Sequence, residues 1–377
     1  MKNRKWILSA VLIVLLFLSG CGNSRTIEWK IQDTPKAAKA GLGDGLEVHF
    51  IDVGQGDATL IRQGEHAMLI DAGDNSKGTA VQSYLMSQKI EKLDYVIGTH
   101  PDSDHIGGLD VVLYKFEWDT VMMPEQKKAT RTYEDVLKVI QHKNCQITVP
   151  KAGDIYELGM AEFTIVCPQK TDYGQDSNNG SIGLRLTYGD THFLFTGDAE
   201  KAAEQDMLES GMELSADVFK AAHHGSDTAN TEEFLEAVNP KAVVISCGEG
   251  NSYGHPRAEV MNRLWQMSVE VYRTDEQGTI VAYSDGRNIT WNMGKSESRK
   301  AGEPIGSYIP KEESKDSGLE ESQGEKETYV LNENTGKFHK SSCSSVEQMS
   351  EQNRKYVDQT REELEEEGYE PCKRCNP

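Results

Sequence analysis

The chain has 377 residues, 37% of them hydrophobic, and a net charge of -21, enough for one large domain and something smaller. The segment 44–294 alone holds 40 acidic against 20 basic residues. Proteins that grip long nucleic acid nonspecifically do so with excess positive charge, so this balance speaks against a broad DNA-tracking groove.

Lys2, Arg4 and Lys5 precede an apolar run from Trp6 to Leu18, followed by Ser19-Gly20-Cys21. The run is shorter than the roughly 20 residues a membrane-spanning helix needs, and the basic-apolar-small order predicts an export signal over residues 1–20. The residues before Cys21 resemble the lipobox of bacterial lipoproteins. That resemblance implies cleavage after Gly20, a lipid on Cys21, and a folded part held outside the cytoplasm at the bacterial cell surface. An ordinary signal peptide or an uncleaved anchor stays open and places the fold on the same side. Residues 21–44 are small and polar and read as a tether.

From residue 45 the pattern changes. Strands are expected at Leu46 to Val53, Ala58 to Gln63 and Ala67 to Ile70, a helix from Thr79 to Ser87, then a strand from Tyr95 to Gly98. Further strands are expected at Thr120 to Met123, Ile147 to Val149, Phe163 to Cys167, Ile182 to Tyr188, His192 to Thr196, Ala242 to Ser246 and Thr279 to Ser284. Strand pairs alternating with helices predict two sheets flanked by helices over residues 45–293. Residues 294–327 have almost no apolar content and read as a disordered linker. Residues 328–377 recover aromatic residues and cysteines, with a helical pattern over Val346 to Gly368. Cys145, Cys167 and Cys247 lie in or beside apolar strands and read as buried packing residues.

The most informative stretch follows the strand ending at Gly98. His100-Pro101-Asp102-Ser103-Asp104-His105-Ile106-Gly107-Gly108 places two imidazoles and several carboxylates within one loop. Imidazole nitrogen and carboxylate oxygen are the donors that hold zinc or manganese, and a cluster this dense repels itself unless a cation sits in it.

VHFIDVGQGDATLI, LIDAGDN, THPDSDHIGGLD, FLFTGDAE, KAAHHGSDTA and NSYGHP occur in the order of the motifs of the metallo-β-lactamase superfamily. They resemble most closely the β-lactamase-like domain of ComEC-type competence proteins. The resemblance covers about residues 45–293 and implies an α/β (α+β) four-layer αββα sandwich. It implies one or two divalent ions, zinc or manganese, held by His100, Asp102, Asp104, His105, Asp198 and His223. Asp102 stands where a second histidine is more usual, and an oxygen donor there shifts preference from zinc toward manganese or magnesium. Asp198 matches the carboxylate that bridges two metals. His223 or His224 matches the next ligand. His223 is favoured because neighbours on an extended segment point to opposite sides, which leaves His224 to back up a ligand or face substrate.

Asp71 matches the aspartate that orients the ligand loop. Asp104, Asp71 and His255 form the expected catalytic group, with His255 binding a second metal or a phosphoryl oxygen. Ser226, Asp57 and Gln55 are expected to line or support the site. The superfamily also supplies a histidine between the ligand loop and the bridging aspartate. Here His142 lies in a polar helical stretch and His192 follows a hairpin turn, so Asp176-Ser177-Asn178-Asn179 is the expected stand-in, leaving one metal weakly held.

In the last segment, His339 and Cys343 are followed after 28 residues by Cys372 and Cys375. Four donors with this spacing predict a structural zinc, and the unit resembles the Ada-like metal-binding tails of some secreted hydrolases. In an exported protein a disulfide among these cysteines is the alternative.

The sequence has no G-x-S-x-G elbow and no P-loop. The expected activity is therefore an extracytoplasmic metal-dependent hydrolase, a phosphodiesterase or nuclease using metal-bound hydroxide, with nucleic acid or another phosphodiester as substrate. A hydrolase of a small or cell-envelope substrate, such as a phosphocholine ester, lactone or lactam, is the alternative that the acidic charge favours. A surface nucleic-acid-binding lipoprotein with a degenerate core is the third reading.

Overall fold

The computed structural model describes residues 45–174, 176–302 and, in the C-terminal segment, 327–332, 335–340, 343–347, 349, 353–359, 361, 364, 369–372 and 375. The expected export signal, Cys21 and tether lie outside the described residues. No helix among the described residues is long and apolar enough to cross a membrane.

The first unit opens with an antiparallel meander of β1 (Leu46–Phe50), β2 (Thr59–Gln63) and β3 (His66–Ile70). It continues through α1 (Gly78–Ser87), β4 (Lys92–Ile97), the single turn α2 (Ser103–Ile106), α3 (Leu109–Lys115), β5 (Glu117–Met122), α4 (Arg131–His142) and β6 (Ile147–Thr148). From β3 to β6 the strands run parallel, each joined to the next by a longer connection that carries helices in this sheet. Side chains alternate between two cores. Ile61, Met68, Ile70 and Ile97 enter the space between sheets, while Leu60, Leu69, Leu93 and Val96 pack outward against Val81, Leu85, Leu109 and Val112 of α1 and α3.

A second sheet is built from β7 (Ile155–Leu158), β8 (Ala161–Cys167), β9 (Gly183–Tyr188) and β10 (Thr191–Phe195). After α5 (Lys201–Ser210), β11 (Val218–Lys220), α6 (Glu232–Val238), β12 (Ala242–Ile245), α7 (Ala258–Gln266) and β13 (Glu270–Arg273) complete it. The short α8 (Thr274–Gln277) returns the chain to the first sheet as β14 (Ile280–Ser284) and β15 (Ile289–Trp291). The strand orders are β15-β14-β1-β2-β3-β4-β5-β6 and β13-β12-β11-β10-β9-β8-β7. Phe163, Leu184, Leu186 and Phe193 meet the first sheet across the central core, and Phe219, Leu194 and Val243 pack outward on α5, α6 and α7. The result is the four-layer αββα sandwich that the motif order implies.

Four strands of this unit were not legible in the sequence: β7, β11, β13 and β15, each of three or four residues, are too short for a periodic signal. Cys167 and Cys247 are buried as expected, but Cys145 is exposed beyond the end of α4, where a polar turn overrides its apolar character. Of the stretch read as a linker from residue 294, residues 294–302 are described and residues 303–326 lie outside the described residues. Ser296 N donates to Val271 O (2.7 Å), Gly302 N donates to Pro256 O (2.7 Å), and the Arg299 guanidinium lies over Trp265. Backbone hydrogen bonds and a cation over an aromatic face hold this polar sequence against the unit.

The C-terminal unit contains β16 (Glu327–Asn332), β17 (Lys337–Lys340), α9 (Ser344–Glu347), β18 (Arg354–Gln359) and β19 (Glu370–Pro371), ordered β18-β16-β17-β19. Here the expected helix over Val346 to Gly368 is corrected. Arg354–Gln359 pairs antiparallel with β16 from Glu327 opposite Gln359 to Asn332 opposite Arg354. Local helix propensity is weak, and pairing with a strand far away in sequence overrides it.

A histidine and carboxylate centre at the strand ends

Every part of the site follows the carboxyl end of a strand, where the two sheets' parallel strands open toward one edge. Asp71 follows β3, Thr99 and His100 follow β4, Asp198 follows β10, Lys220 ends β11 with His223 and His224 close behind, and Ser246 follows β12. The loop after β1 brings Asp57 to the same edge. Asp57 N donates to Asp104 O at 3.1 Å, so this loop lies backbone to backbone on the ligand loop. Gly56 permits that approach: it sits at φ +128°, and a Cβ there would fall 2.3 Å from Asp104 O. Gly108 does the same at the other end, where a Cβ would fall 2.3 Å from Ala72 O.

Asp198 is the centre. Its Oδ2 lies 3.2 Å from His105 Nε2, 3.6 Å from His224 Nε2, 3.8 Å from His223 Nε2 and 3.9 Å from His100 Nε2. Asp104 Oδ2 joins from the rim, 3.3 Å from His224 Nε2. Asp57, His105, Asp198 and His224 offer ligand atoms all within 4.8 Å of one another, and all four are buried. The Nε2 atoms of His100, His105 and His224, with Asp198 Oδ1 and Asp57 Oδ1, are buried without a hydrogen-bond partner. Such orphaned polar atoms are costly. A divalent cation among them satisfies nitrogen and oxygen donors together, so the residues fit the metal that the fold implies.

A layer behind these donors fixes their direction. Asp71 Oδ2 lies 2.8 Å from His105 Nδ1, and Asp71 is itself held by Thr99 N (2.8 Å) and Thr99 Oγ1 (2.7 Å). His105 Nε2 is thereby turned to the centre. His224 Nδ1 lies 2.9 Å from Ser246 O and 3.2 Å from Asp57 Oδ1, which aims its Nε2 the same way. Lys220 Nζ donates to Asp57 Oδ2 at 2.5 Å, both side chains buried. Lys220 was missed in the sequence, where one lysine in KAAHHGSD carries no signal; only the topology reveals that it neutralises a carboxylate buried across the sheet edge.

The charges follow this geometry. Burial would push His105 and His224 down, but Asp198 and the other carboxylates push both up, His224 to about 9. Burial and the neighbouring His105 push His100 down to about 4. Burial would raise Asp57, and Lys220 and His224 pull it down to about 2. Burial, then His224 and His223, push His255 to about 4, leaving a neutral imidazole beside the cluster.

The choice between adjacent histidines resolves differently from expectation. His223 and His224 both have positive φ (46° and 55°), so the segment is a tight turn rather than extended, and both rings face the centre. His224 is the buried one, whereas His223 is partly exposed and held through Nδ1 by Glu200 (3.0 Å) and Thr228 (3.1 Å). Glu200 is a second residue missed in the sequence.

The remaining site candidates are held by other contacts. Asp102 Oδ1 accepts from Lys128 Nζ (2.5 Å) and Ser177 Oγ (2.8 Å). Asp176 folds back on Asn178 and Asn179, and Asn179 Oδ1 accepts from Glu200 N and Ala203 N at the start of α5, so this stretch supplies no donor to the centre. Ser181 stands closer, its Oγ 3.3 Å from His100 Nδ1. Ser226 Oγ is spent on Thr228. Gln55 Oε1 accepts from Gly248 N (3.3 Å) and ties two loops together. His142 and His192 lie outside the site, His192 beside Thr187 on the second sheet. His255 flanks the cluster, its ring centroid 5.4 Å from that of His223 and 6.4 Å from that of His224, with Nδ1 unpartnered.

Residues 51–249, more than half of the chain, match the family model of the metallo-beta-lactamase superfamily. The chain belongs to that superfamily. It is 32% identical over 252 residues to ComE operon protein 3 of Bacillus subtilis (strain 168), covering 62% of this chain and 32% of that protein. It is 28% identical over 238 residues to competence protein ComA of Neisseria gonorrhoeae, covering 61% of this chain and 31% of that protein. The chain thus spans about a third of the length of these relatives. Among solved structures, the metallo-beta-lactamase fold protein YhfI of Bacillus subtilis matches with a TM-score of 0.44 and 14% identity, over 61% of this chain and 96% of that one. The chain is thus a metallo-beta-lactamase superfamily member with competence proteins among its relatives.

In the C-terminal unit, His339, Cys343, Cys372 and Cys375 offer ligand atoms within 4.8 Å of one another. His339 has neither ring nitrogen hydrogen-bonded, and no disulfide joins the cysteines. Burial would raise Cys343, but His339 and its other neighbours pull it down to about 6.

Proposed function

We propose that the protein hydrolyses phosphodiesters, most plainly those of nucleic acid, with zinc or manganese at the Asp198 centre. The observation that carries this reading is the convergence of four imidazole Nε2 atoms on Asp198 Oδ2, three of them buried and unpartnered. A divalent cation there supplies Lewis acidity and lowers the pKa of bound water. In this reading His105, His224, His100, Asp198 and Asp104 hold metal, with His223 at the partly exposed side. Asp71 and the Asp57–Lys220 pair fix the imidazoles, and neutral His255 binds the substrate's phosphoryl oxygen. The relatives' names, competence protein and ComE operon protein, point the same way, since competence concerns DNA.

The export signal and Cys21 support a lipid-anchored, extracytoplasmic location at the membrane surface. The tail's four soft donors support a structural zinc. The excess of acidic residues favours one rival, a small or cell-envelope substrate.

Purified protein lacking residues 1–20, loaded with Mn²⁺ or Zn²⁺, tests these against each other with single- and double-stranded DNA, bis-p-nitrophenyl phosphate and nitrocefin. Metal-dependent cleavage of the diesters is expected. Turnover of nitrocefin without any diester cleavage favours the rival, and metal binding without turnover of any of them favours a binding protein.

A further inference from the structure

We propose that Tyr253 is a stacking platform for a nucleobase next to the scissile phosphate, and therefore a specificity-determining residue of the reaction proposed above, on which this inference rests. Tyr253 is 61% exposed, and among the large hydrophobic side chains of the described residues Tyr114 is more exposed. Its ring lies over His255, centroids 5.8 Å apart and planes 23° from parallel, and His255 in turn adjoins His223 and His224. An exposed aromatic face is thus one imidazole away from the histidines around Asp198.

The ring is not a loose surface residue. Asn251 Oδ1 accepts from both Tyr253 N (3.2 Å) and His255 N (3.0 Å), while Asn251 Nδ2 donates to Gly248 O (2.9 Å) and His255 O (2.6 Å). One side chain fixes the whole turn, so the ring is presented at little entropic cost on binding. Burying an aromatic ring is the ordinary outcome, and exposing one beside a reactive centre calls for a partner with a flat apolar face.

The charge balance strengthens the choice of a base. With 40 acidic against 20 basic residues over 44–294, the unit carries a net negative charge, the opposite of the balance by which most proteins hold a nucleic-acid backbone. Stacking needs no positive charge and accepts every base, because each has a π-face. It supplies affinity from a neutral part of the substrate that an acidic surface does not repel.

The test uses the Mn²⁺-loaded chain with a short oligothymidylate and an abasic strand of the same length and phosphate number. The wild type should show a KM about tenfold lower for the strand with bases, the ratio that one stacked base contributes. Tyr253→Ala should bring the ratio to about one, and Tyr253→Phe should preserve it, since the ring and not the hydroxyl does the stacking. A thermal unfolding midpoint for each variant separates misfolding from loss of stacking. Cleavage of both strands with equal KM in the wild type overturns the stacking role while the phosphodiesterase reading stands. The same holds if Tyr253→Ala keeps the ratio or Tyr253→Phe loses it. Cleavage of neither strand overturns the phosphodiesterase reading, and the stacking proposal falls with it.

Discussion

Among the described residues, two compact groups of potential metal donors are built on opposite principles. The Asp198 centre mixes imidazoles and carboxylates, has a partly exposed rim at Asp104 and His223, and is backed by a layer of Asp71, Thr99, Asp57 and Lys220. The tail group is three thiols and an imidazole in a four-stranded unit whose apolar clusters are small: Tyr329, Leu331, Phe338 and Leu364 in one, Val330 and Val346 with the cysteines in the other. In the first, thick sheet cores exist without the site, and the site sits at their edge. In the second, the donors themselves are part of the core, as expected of a unit too small to bury enough apolar surface unaided. An open, oxygen-containing set at the rim of a stable fold suits chemistry, and a closed sulfur set inside a marginal one suits a staple.

The largest expected effect comes from removing the centre of the first group. Asp198→Ala should lower diester turnover by at least about 10³-fold, because several kcal/mol of charge stabilisation go with the metal. Metal content should fall in parallel, with circular dichroism unchanged. Turnover that survives without bound metal breaks the contrast at once.

Next in size is Lys220→Met, which leaves Asp57 buried without its cation. Breaking a buried pair should cost about 3–5 kcal/mol in denaturant unfolding of the core unit. Adding Asp57→Asn should recover part of that loss. A cost below about 1 kcal/mol would show that the backing layer is not the rigid support described here.

Asp71→Asn should weaken metal binding by about 10- to 100-fold, since Asp71 orients His105 and does not reach the centre itself. Titration of the metal-free protein measures it, and unchanged affinity would remove Asp71 from the site.

The fourth expectation is a pH dependence of metal binding at the first group. The carboxylates raise His224 to about 9, so near neutral pH the metal-free centre holds a proton that binding must displace. His105 is raised as well, so apparent metal affinity should rise by at least about tenfold from pH 7 to pH 8. In the metal-free protein the same raised value stabilises the fold fully below the unfolded value near 6.5, and that contribution disappears as pH rises through about 9. Calorimetry in buffers of different ionisation enthalpy counts the released protons, and no release would contradict the assignment.

The smallest effect on turnover is expected from the tail. Cys372→Ser should remove one zinc per chain and destabilise the C-terminal unit, yet change hydrolysis of bis-p-nitrophenyl phosphate by less than about twofold. A mapped disulfide in place of the zinc would turn the staple from a metal site into a cystine.

Much of the centre was legible because its residues are close in sequence. His100, Asp104 and His105 stand in one loop after a strand, and density of donors alone marks them. The contributions that escaped notice are those for which meaning depends on a partner far along the chain. Lys220 and Asp57 are 163 residues apart, and neither looks like half of an ion pair until β1 and β11 end at the same edge. Asp102 reads as a ligand from its spacing, yet Lys128 and Ser177 claim its carboxylate from loops that the spacing does not encode. The rule of alternation failed at His223 and His224 for a local reason: it assumes extended backbone, and both residues adopt positive φ.

What the sequence determined by itself is the kind of chemistry and the class of fold. Alternating apolar runs specify two half-buried sheets, because period two matches the pleat, and the motif order specifies which strand ends carry donors. What only the tertiary structure decided is which donors meet. The strand in the tail, drawn from a segment with a helical pattern, forms because pairing with β16 outweighs a local preference of a few tenths of a kcal/mol per residue. Likewise the direction of each imidazole is set by hydrogen bonds to groups brought in by other strands. Such pairings depend on distances in space, and no local pattern of residue types records them.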